Sequence, residues 1–215
     1  MTTHFEMEHM DAKQTAFVAM MSALGIALSI ISLNIGPISV AVPGQGAAAL
    51  DLSHLATFVA AIFGGPFIGG IVGFLSGIYA GYYFGYVAGG LGLLSVIGIP
   101  LGKAFTGLLA GFLYKRLGIG SSSRHSILAI PVTLLSYIPE SIYTVIYFLY
   151  IVTWINIPAM TFMIPLVIPK AWIEIAVMSL IMTALAGNAG FREFIKRFLY
   201  VQKPYRSIRK QPDVV

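Results

Sequence analysis

The sequence contains no cysteine and little charge. None of its 215 residues is a cysteine, which excludes disulfides and thiolate metal sites. Charged residues make up 10% of the chain, against about 25% in a typical soluble domain. Hydrophobic residues reach 58%, and the mean hydropathy is +0.87. This composition predicts a multi-pass membrane protein with no room for a separate soluble domain.

The sequence also lacks the motifs of common catalytic and nucleotide-binding sites. It contains neither HExxH nor GxSxG. The nearest approach to a P-loop is GIPLGKAF, where Ala104 replaces the magnesium-binding Ser or Thr and Gly98 lies one position too close to Gly102. We therefore expect no enzyme activity, catalytic residue, cofactor, metal or nucleic-acid partner, and no means of using ATP within this chain.

Apolar runs divide the chain into six candidate membrane helices, so the predicted fold is an all-α integral membrane protein, a compact bundle of six transmembrane helices. They cover approximately residues 15–33, 50–63, 66–85, 99–117, 127–153 and 166–186. The second is short for a span of about 20 residues. The predicted organisation is an N-terminal tail over residues 1–12, a transmembrane substrate-binding domain over 13–190 and a basic C-terminal tail over 191–215.

The basic residues predict that both termini are cytoplasmic, because Lys and Arg accumulate on the cytoplasmic flanks of membrane spans. With six spans, 11 of the 13 basic residues fall on one side. They are Lys13, Lys115, Arg116, Arg124, Arg192, Lys196, Arg197, Lys203, Arg206, Arg209 and Lys210. We expect the C-terminal group to be a solvated stop and a headgroup anchor, with partner docking as the alternative.

A glycine ladder occupies the third segment, where every fourth residue from Gly65 to Gly85 is glycine. Glycine lets two membrane helices approach closely. A step of four residues advances about 40° past a full turn, so the ladder is expected to wind round its helix and to meet different neighbours at its two ends. Two interpretations remain open, which are tight packing and a sliding surface.

Polar residues collect in the outer half of the predicted bundle, where an ionisable group suggests function. Such a set fits an outward-facing pocket for a small polar, partly aromatic ligand. The candidate substrate-binding residues are Asp51, His54, Lys103, Glu140, Tyr143, Tyr147, Trp154, Asn156, Lys170, Trp172 and Glu174.

Simpler interpretations of these residues also remain open. Lys170 and Glu174 are four residues apart and can neutralise each other. Asp51 can cap a helix start, and the tryptophans can belong to an interfacial belt. Glu140 is the hardest to explain away, because it lies deepest and has no basic residue nearby in the sequence.

Two motifs resemble those of the substrate-binding S components of energy-coupling factor (ECF) transporters. The stretch LDLSHLATFVAAIFGGPFIGGIVGFLSGIYAG is similar to their second and third helices, and Ala19, Ala23 and Ala27 form a small-residue stripe on the first segment. The resemblance implies that Ala19 and Ala23, with Ala27 continuing the stripe, contact a transmembrane coupling subunit. It also implies two ABC ATPases as separate chains, and a lid over residues 34–50 above the ligand. The prolines and glycines of residues 34–49 predict that this loop forms no regular element of its own.

The expected function is therefore high-affinity binding of a vitamin or related micronutrient in the cell membrane. The alternative is a stand-alone secondary transporter of a small organic solute. The sign of the ligand's charge is left open, because Glu140 and Glu174 suit a cationic heterocycle whereas Lys103 and Lys170 suit a carboxylate or phosphate.

Overall fold

The protein is a multi-pass, all-α membrane bundle. A computed structural model describes residues 10–34, 39–42, 46–49, 51–87, 91–154 and 160–199. The helices are α1 (Ala12–Asn34), α2 (His54–Tyr82), α3 (Leu93–Arg116), α4 (Ala129–Ser136), α5 (Ile138–Ile146), α6 (Val152–Trp154), α7 (Ile164–Gly187) and α8 (Ala189–Leu199). Turns of π-helix follow α2 (Tyr83–Val87) and α5 (Tyr147–Ile151), and 3₁₀ turns precede α4 (Ser123–Leu128) and α7 (Met160–Met163). Among the described residues, 5 helical stretches are long and apolar enough to cross a membrane.

Helix α2 reverses direction at Gly65, where φ is 82° and ψ is −170°. The reversal brings Thr57 Oγ1 within 3.2 Å of Ser76 Oγ, whereas a straight helix would hold residues this far apart in sequence about 28 Å apart. The GGP sequence explains the turn, because glycine accepts a positive φ and Pro66 starts a new helix without needing an N–H partner. The predicted second and third segments are thus the two limbs of one helical hairpin.

The first limb of α2 is too short to cross a bilayer. It runs from His54 to the reversal, which is about 11 residues and about 16 Å, whereas the hydrocarbon core is about 30 Å thick. The six predicted segments are therefore all present as helical segments, but the second begins inside the bundle. Its first residues consequently lie deep between the longer helices.

The glycine ladder packs against α3 along its whole length. The backbone oxygens of Gly107, Lys103, Ser95 and Gly92 lie opposite successive ladder glycines, so closely that a Cβ at Gly73 would be 2.4 Å from the Lys103 oxygen. The expectation that the two ends of the ladder meet different neighbours is therefore wrong. A contact repeat longer than 3.6 residues makes two helices coil round each other in a right-handed sense, so α3 follows the ladder as it turns.

Helix α3 begins at Leu93, about six residues earlier than predicted. Pro100 lies inside α3 and is fully buried, with its Cα beside Gly77. The chain from Leu93 to Gly98, which precedes the predicted fourth segment, is therefore also helical.

The loop after α1 contains a regular element that the sequence reading did not predict. Strands β1 (Ser39–Val42) and β2 (Gly46–Ala49) pair antiparallel, from Ser39 opposite Ala49 to Val42 opposite Gly46. Val40 and Val42 favour a strand, whereas the alanines and Gly46 of β2 do not. Strand β2 contacts α7. The rest of the predicted lid, residues 35–38, 43–45 and 50, lies outside the described residues.

The two described chain ends lie at the same end of the bundle, which we call the basic end because Lys115, Arg116 and Arg124 lie there. The ring of Phe17 in α1 contacts that of Phe198 in α8, with centroids 6.3 Å apart. Arg192 donates hydrogen bonds to Ser123 Oγ and to backbone oxygens at the end of α7. The opposite end, where β1 and β2 lie, is called the hairpin end.

Part of the predicted C-terminal tail is folded against the bundle. Helix α8 begins two residues before the predicted boundary and buries Ile195 and Leu199. Its apolar residues pack into the main core while Lys196 and Arg197 stand in its last turn. The helix was not predicted because the basic residues of this segment suggested a solvated tail, although its apolar residues form one face of a helix. Residues 200–215, with Lys203, Arg206, Arg209 and Lys210, lie outside the described residues.

Candidate functional site

Two of the predicted site residues form a buried ion pair at the start of α2. Lys103 Nζ in α3 donates to Asp51 Oδ2 and to Ser53 Oγ. Asp51 Oδ1 also accepts a 3.0 Å hydrogen bond from the Ser53 backbone N–H. The Lys103 ammonium thereby compensates the buried Asp51 carboxylate. Asp51 is not the N-cap of α2, a position that Ser53 occupies.

A second buried pair joins α2 to α5. His54 Nε2 lies 3.2 Å and 3.1 Å from the two carboxylate oxygens of Glu140, and Thr106 Oγ1 donates to Glu140 Oε2 at 2.5 Å. Pro139 follows the interruption between α4 and α5, and Glu140 in the next turn points into the bundle. Glu140 therefore has the basic partner that its neighbours in the sequence could not supply.

A third pair, from α7, adjoins these two. Lys170 Nζ lies 3.1 Å from Glu174 Oε2, and Glu174 lies within electrostatic range of Asp51 and His54. The Tyr137 ring links the pairs, with its centroid 6.0 Å from that of His54 and 5.4 Å from that of Trp172. We call the six ionisable residues of the three pairs the polar cluster, which consists of Asp51, His54, Lys103, Glu140, Lys170 and Glu174.

The polar cluster lies nearer mid-depth than the sequence suggested. The predicted fourth segment begins near residue 99, which would place Lys103 about one turn inside the outer end of its helix. Because α3 starts at Leu93, Lys103 lies about 15 Å from that start. The short first limb of α2 brings Asp51 and His54 to the same level. Asp51, His54, Lys103, Glu140 and Glu174 are all buried.

Two polar atoms of the cluster have no hydrogen-bond partner among the described residues. They are His54 Nδ1 and Glu174 Oε1, and both are buried. A buried polar atom without a partner costs about 1–3 kcal/mol, so such atoms call for an explanation, and a bound molecule is one. The cluster thus offers unsatisfied hydrogen-bonding capacity inside the bundle.

Two predicted tyrosines line a separate cavity. Tyr143 and Tyr147 border an apolar space of about 490 Å³ between the hairpin-end parts of α3 and α5, and Glu140, Lys170 and Glu174 are not among its lining residues. Tyr143 nevertheless lies one turn from Glu140 on the same helix face, and both side chains pack on Gly102, where an added Cβ would lie 3.2 Å from Glu140 Cγ and 3.3 Å from Tyr143 Cδ1. A second cavity, of about 230 Å³, lies at the basic end beside Gly65 and Lys115.

The remaining predicted site residues do not all belong to the polar cluster. Trp172 joins the polar cluster through Tyr137. Trp154 is 91% exposed, on the outside of the bundle, which fits an interfacial residue better than a ligand contact. Asn156 lies outside the described residues.

Sequence reading missed Ser53, Thr106 and Tyr137 as members of the site. Each lies one to three residues from a predicted ionisable residue, so helical spacing from Lys103 or Glu140 would have indicated Thr106 and Tyr137. Hydroxyl groups were overlooked because Ser, Thr and Tyr are common in membrane helices.

The alanine stripe on α1 faces away from the bundle. Ala19, Ala23 and Ala27 are all exposed, whereas Phe17, Met21 and Gly25 are buried on the opposite face. The stripe therefore does not pack against the described part of this chain. Its small side chains leave a flat surface on which another helix can lie.

Comparisons with known proteins leave the family of this chain open. No protein-family model, curated protein or solved structure matches it.

Proposed function

We propose that this chain is the substrate-binding membrane subunit of an ECF-type ABC importer, which captures a vitamin or related micronutrient at the polar cluster. The observation that carries the proposal is the cluster itself, in which three side-chain pairs, two of them buried, and two polar atoms without a partner among the described residues lie around the start of a half-length helix. Ionisable groups inside a membrane bundle are expensive and are retained for function.

The position of the cluster supports capture from the hairpin end. The hairpin precedes Asp51 directly, and β2 contacts α7, which carries Lys170 and Glu174. A ligand at the cluster would lie beneath this segment. The basic end would then face the cytoplasm, in keeping with its Lys and Arg residues.

The exposed alanine stripe supports a partner within the membrane. Helices associate in lipid through close packing of small residues, since lipid offers little hydrophobic driving force. In an importer of this kind the stripe would receive a coupling subunit, and two ABC ATPases would supply the energy for which this sequence has no motif.

A stand-alone secondary transporter is the second candidate. The observation that favours it is the mid-depth position of the Glu140–His54 pair, since carboxylate and histidine chains inside bundles serve as proton relays. Against it, secondary transporters are commonly built from two repeated halves, and the sequence shows no such repeat.

Affinity purification of the full chain from its native membrane separates the two candidates. An importer subunit should bring down a second membrane protein and ATPases, and mass spectrometry should find a tightly held small molecule. Its uptake should stop when ATP is depleted and should continue with a protonophore when ATP is maintained. A secondary transporter should purify without ATPases, and a protonophore should abolish its uptake. Uptake that meets neither pattern would refute both candidates.

A further inference from the structure

Both lysines of the polar cluster already neutralise carboxylates. Lys103 is bound by Asp51 and Ser53, and Lys170 is paired with Glu174 at 3.1 Å. The cluster holds three carboxylates against two lysines, so an anionic ligand would leave at least one negative charge uncompensated even with a proton on His54, and an unpaired charge away from water is costly. The charge count therefore argues against a carboxylate or phosphate at this site.

The two cluster atoms without any partner among the described residues are acceptors when His54 is neutral. Glu174 Oε1 is a carboxylate oxygen without a partner among the described residues. His54 Nε2 lies against both oxygens of Glu140, so Nε2 carries a proton, and in the neutral ring Nδ1 then holds a lone pair. A ligand that satisfies both atoms must donate hydrogen bonds.

The charges of the cluster point the same way. Its ionisable groups comprise two lysines, three carboxylates and one histidine. With a neutral histidine, one negative charge is left without compensation, and an unpaired charge away from water is costly. A proton on His54 Nδ1 would supply that charge but would turn the atom into a donor, so a ligand that donates to Nδ1 must itself be positively charged.

Aromatic rings lie beside His54. Tyr137 makes edge-to-face contacts with His54 and Trp172, at interplanar angles of 81° and 84°. Trp172 is therefore connected to the polar cluster through Tyr137. The faces of such rings attract cations and stack on flat molecules.

We infer that the ligand of the polar cluster is a planar organic monocation that carries N–H donors. It donates to Glu174 Oε1 and His54 Nδ1 and packs against Tyr137 and Trp172. This inference rests on the proposed function and specifies its class of ligand.

Three probes of one shape and three charges test the inference. Benzamidine is cationic, benzamide is neutral and benzoate is anionic. Binding of each to the full-length chain in detergent at pH 7.5 would be measured by calorimetry and thermal shift. We expect benzamidine to bind at least tenfold more tightly than benzamide, because a hydrogen bond between charged groups is worth about one decade or more in affinity. Benzoate should not bind.

Two substitutions on the same ion pair should act in opposite directions. Glu174→Gln removes the anionic acceptor and should weaken benzamidine binding about tenfold or more. Lys170→Gln removes the competing cation and should strengthen binding. A purely structural role would make both variants bind more weakly. Glu193→Gln, on an exposed side chain of α8, is the matched control and should not change binding, and gel filtration would confirm that each variant remains folded.

Several results would overturn the inference. They are preferential binding of benzoate, no binding of any probe, or unchanged benzamidine affinity in both Glu174→Gln and Lys170→Gln. The small molecule retained by the native complex tells this failure apart from failure of the proposed function. A neutral or anionic molecule that purifies with ATPases would refute the cation and leave the importer standing. A cationic molecule retained without ATPases would support the cation and refute the importer.

Discussion

The contact between Gly73 and α3 predicts that adding one methyl group will separate two helices. An ideal Cβ at Gly73 would lie 2.4 Å from the Lys103 backbone oxygen and 3.2 Å from Thr57 Cγ2. Carbon and oxygen atoms normally approach to about 3.3 Å, so Gly73→Ala requires a displacement of about 1 Å. The obstructing oxygen belongs to a helix backbone and cannot rotate away as a side chain can.

The energetic terms oppose each other and differ in size. Alanine in place of glycine returns up to about 1 kcal/mol of helix propensity. Overpacking costs about 1–3 kcal/mol, and moving Lys103 also disturbs its buried pair with Asp51, where complete loss of a partner would cost about 3–5 kcal/mol. We expect a net loss of about 1–3 kcal/mol for Gly73→Ala. In a domain of this size, each 1 kcal/mol lowers Tm by about 2–4 °C.

Gly70→Ala is the matched control, three residues away on the same limb. Its added Cβ would meet Leu108 Cγ at 2.7 Å and Cδ2 at 2.8 Å. The leucine side chain can adopt another rotamer, so we expect a change within about 0.5 kcal/mol. Thermal unfolding of the purified variants in one detergent would measure both. If Gly73→Ala is as stable as Gly70→Ala, the backbone contact does not limit helix separation and the reasoning is refuted.

Three further predictions follow from the site and the surfaces. Lys103→Met should destabilise the protein by about 3–5 kcal/mol, and adding Asp51→Asn should recover more than half of this loss in denaturation experiments; an additive double variant would contradict the pairing. Ala23→Trp should abolish recovery of a coupling subunit while ligand affinity stays within about twofold, whereas Leu24→Trp, beside the stripe, should preserve both; loss of ligand binding in Ala23→Trp would contradict an external role. Amide exchange in β1 and β2 should slow when ligand is bound, and equal rates with and without ligand would contradict closure over the cluster.

Helical periodicity made the broad architecture predictable. Apolar runs and the absence of charge indicated the membrane class, and the break at Gly65 and Pro66 was visible as a GGP sequence. The basic residues indicated that both chain ends share one side, and the described parts of α1 and α8 do meet. These features depend on local composition, so they can be read from one segment at a time.

Contacts between distant segments were not predictable in this way. His54 and Glu140 are 86 positions apart, and nothing in either neighbourhood specifies the other. Which residues meet depends on the rotation and the axial offset of each helix. Here the close contact of the glycine ladder with α3 sets that offset, because backbone atoms of the two helices meet directly and neither helix can slide along the other without a clash. A shift of one helical turn, about 5.4 Å, would have brought a different residue to Asp51.

The sequence alone therefore determined the class of the protein, most of its helical segments and the six ionisable residues of the polar cluster. Tertiary structure decided how these residues pair, how deep they lie and which of their atoms have no partner. Both lysines proved to be paired with carboxylates, and two buried polar atoms had no partner among the described residues, which a list of charged residues could not reveal. The physical reason is that the charge of a residue is a property of its side chain, whereas its compensation depends on which neighbours the packed helices bring within hydrogen-bonding distance.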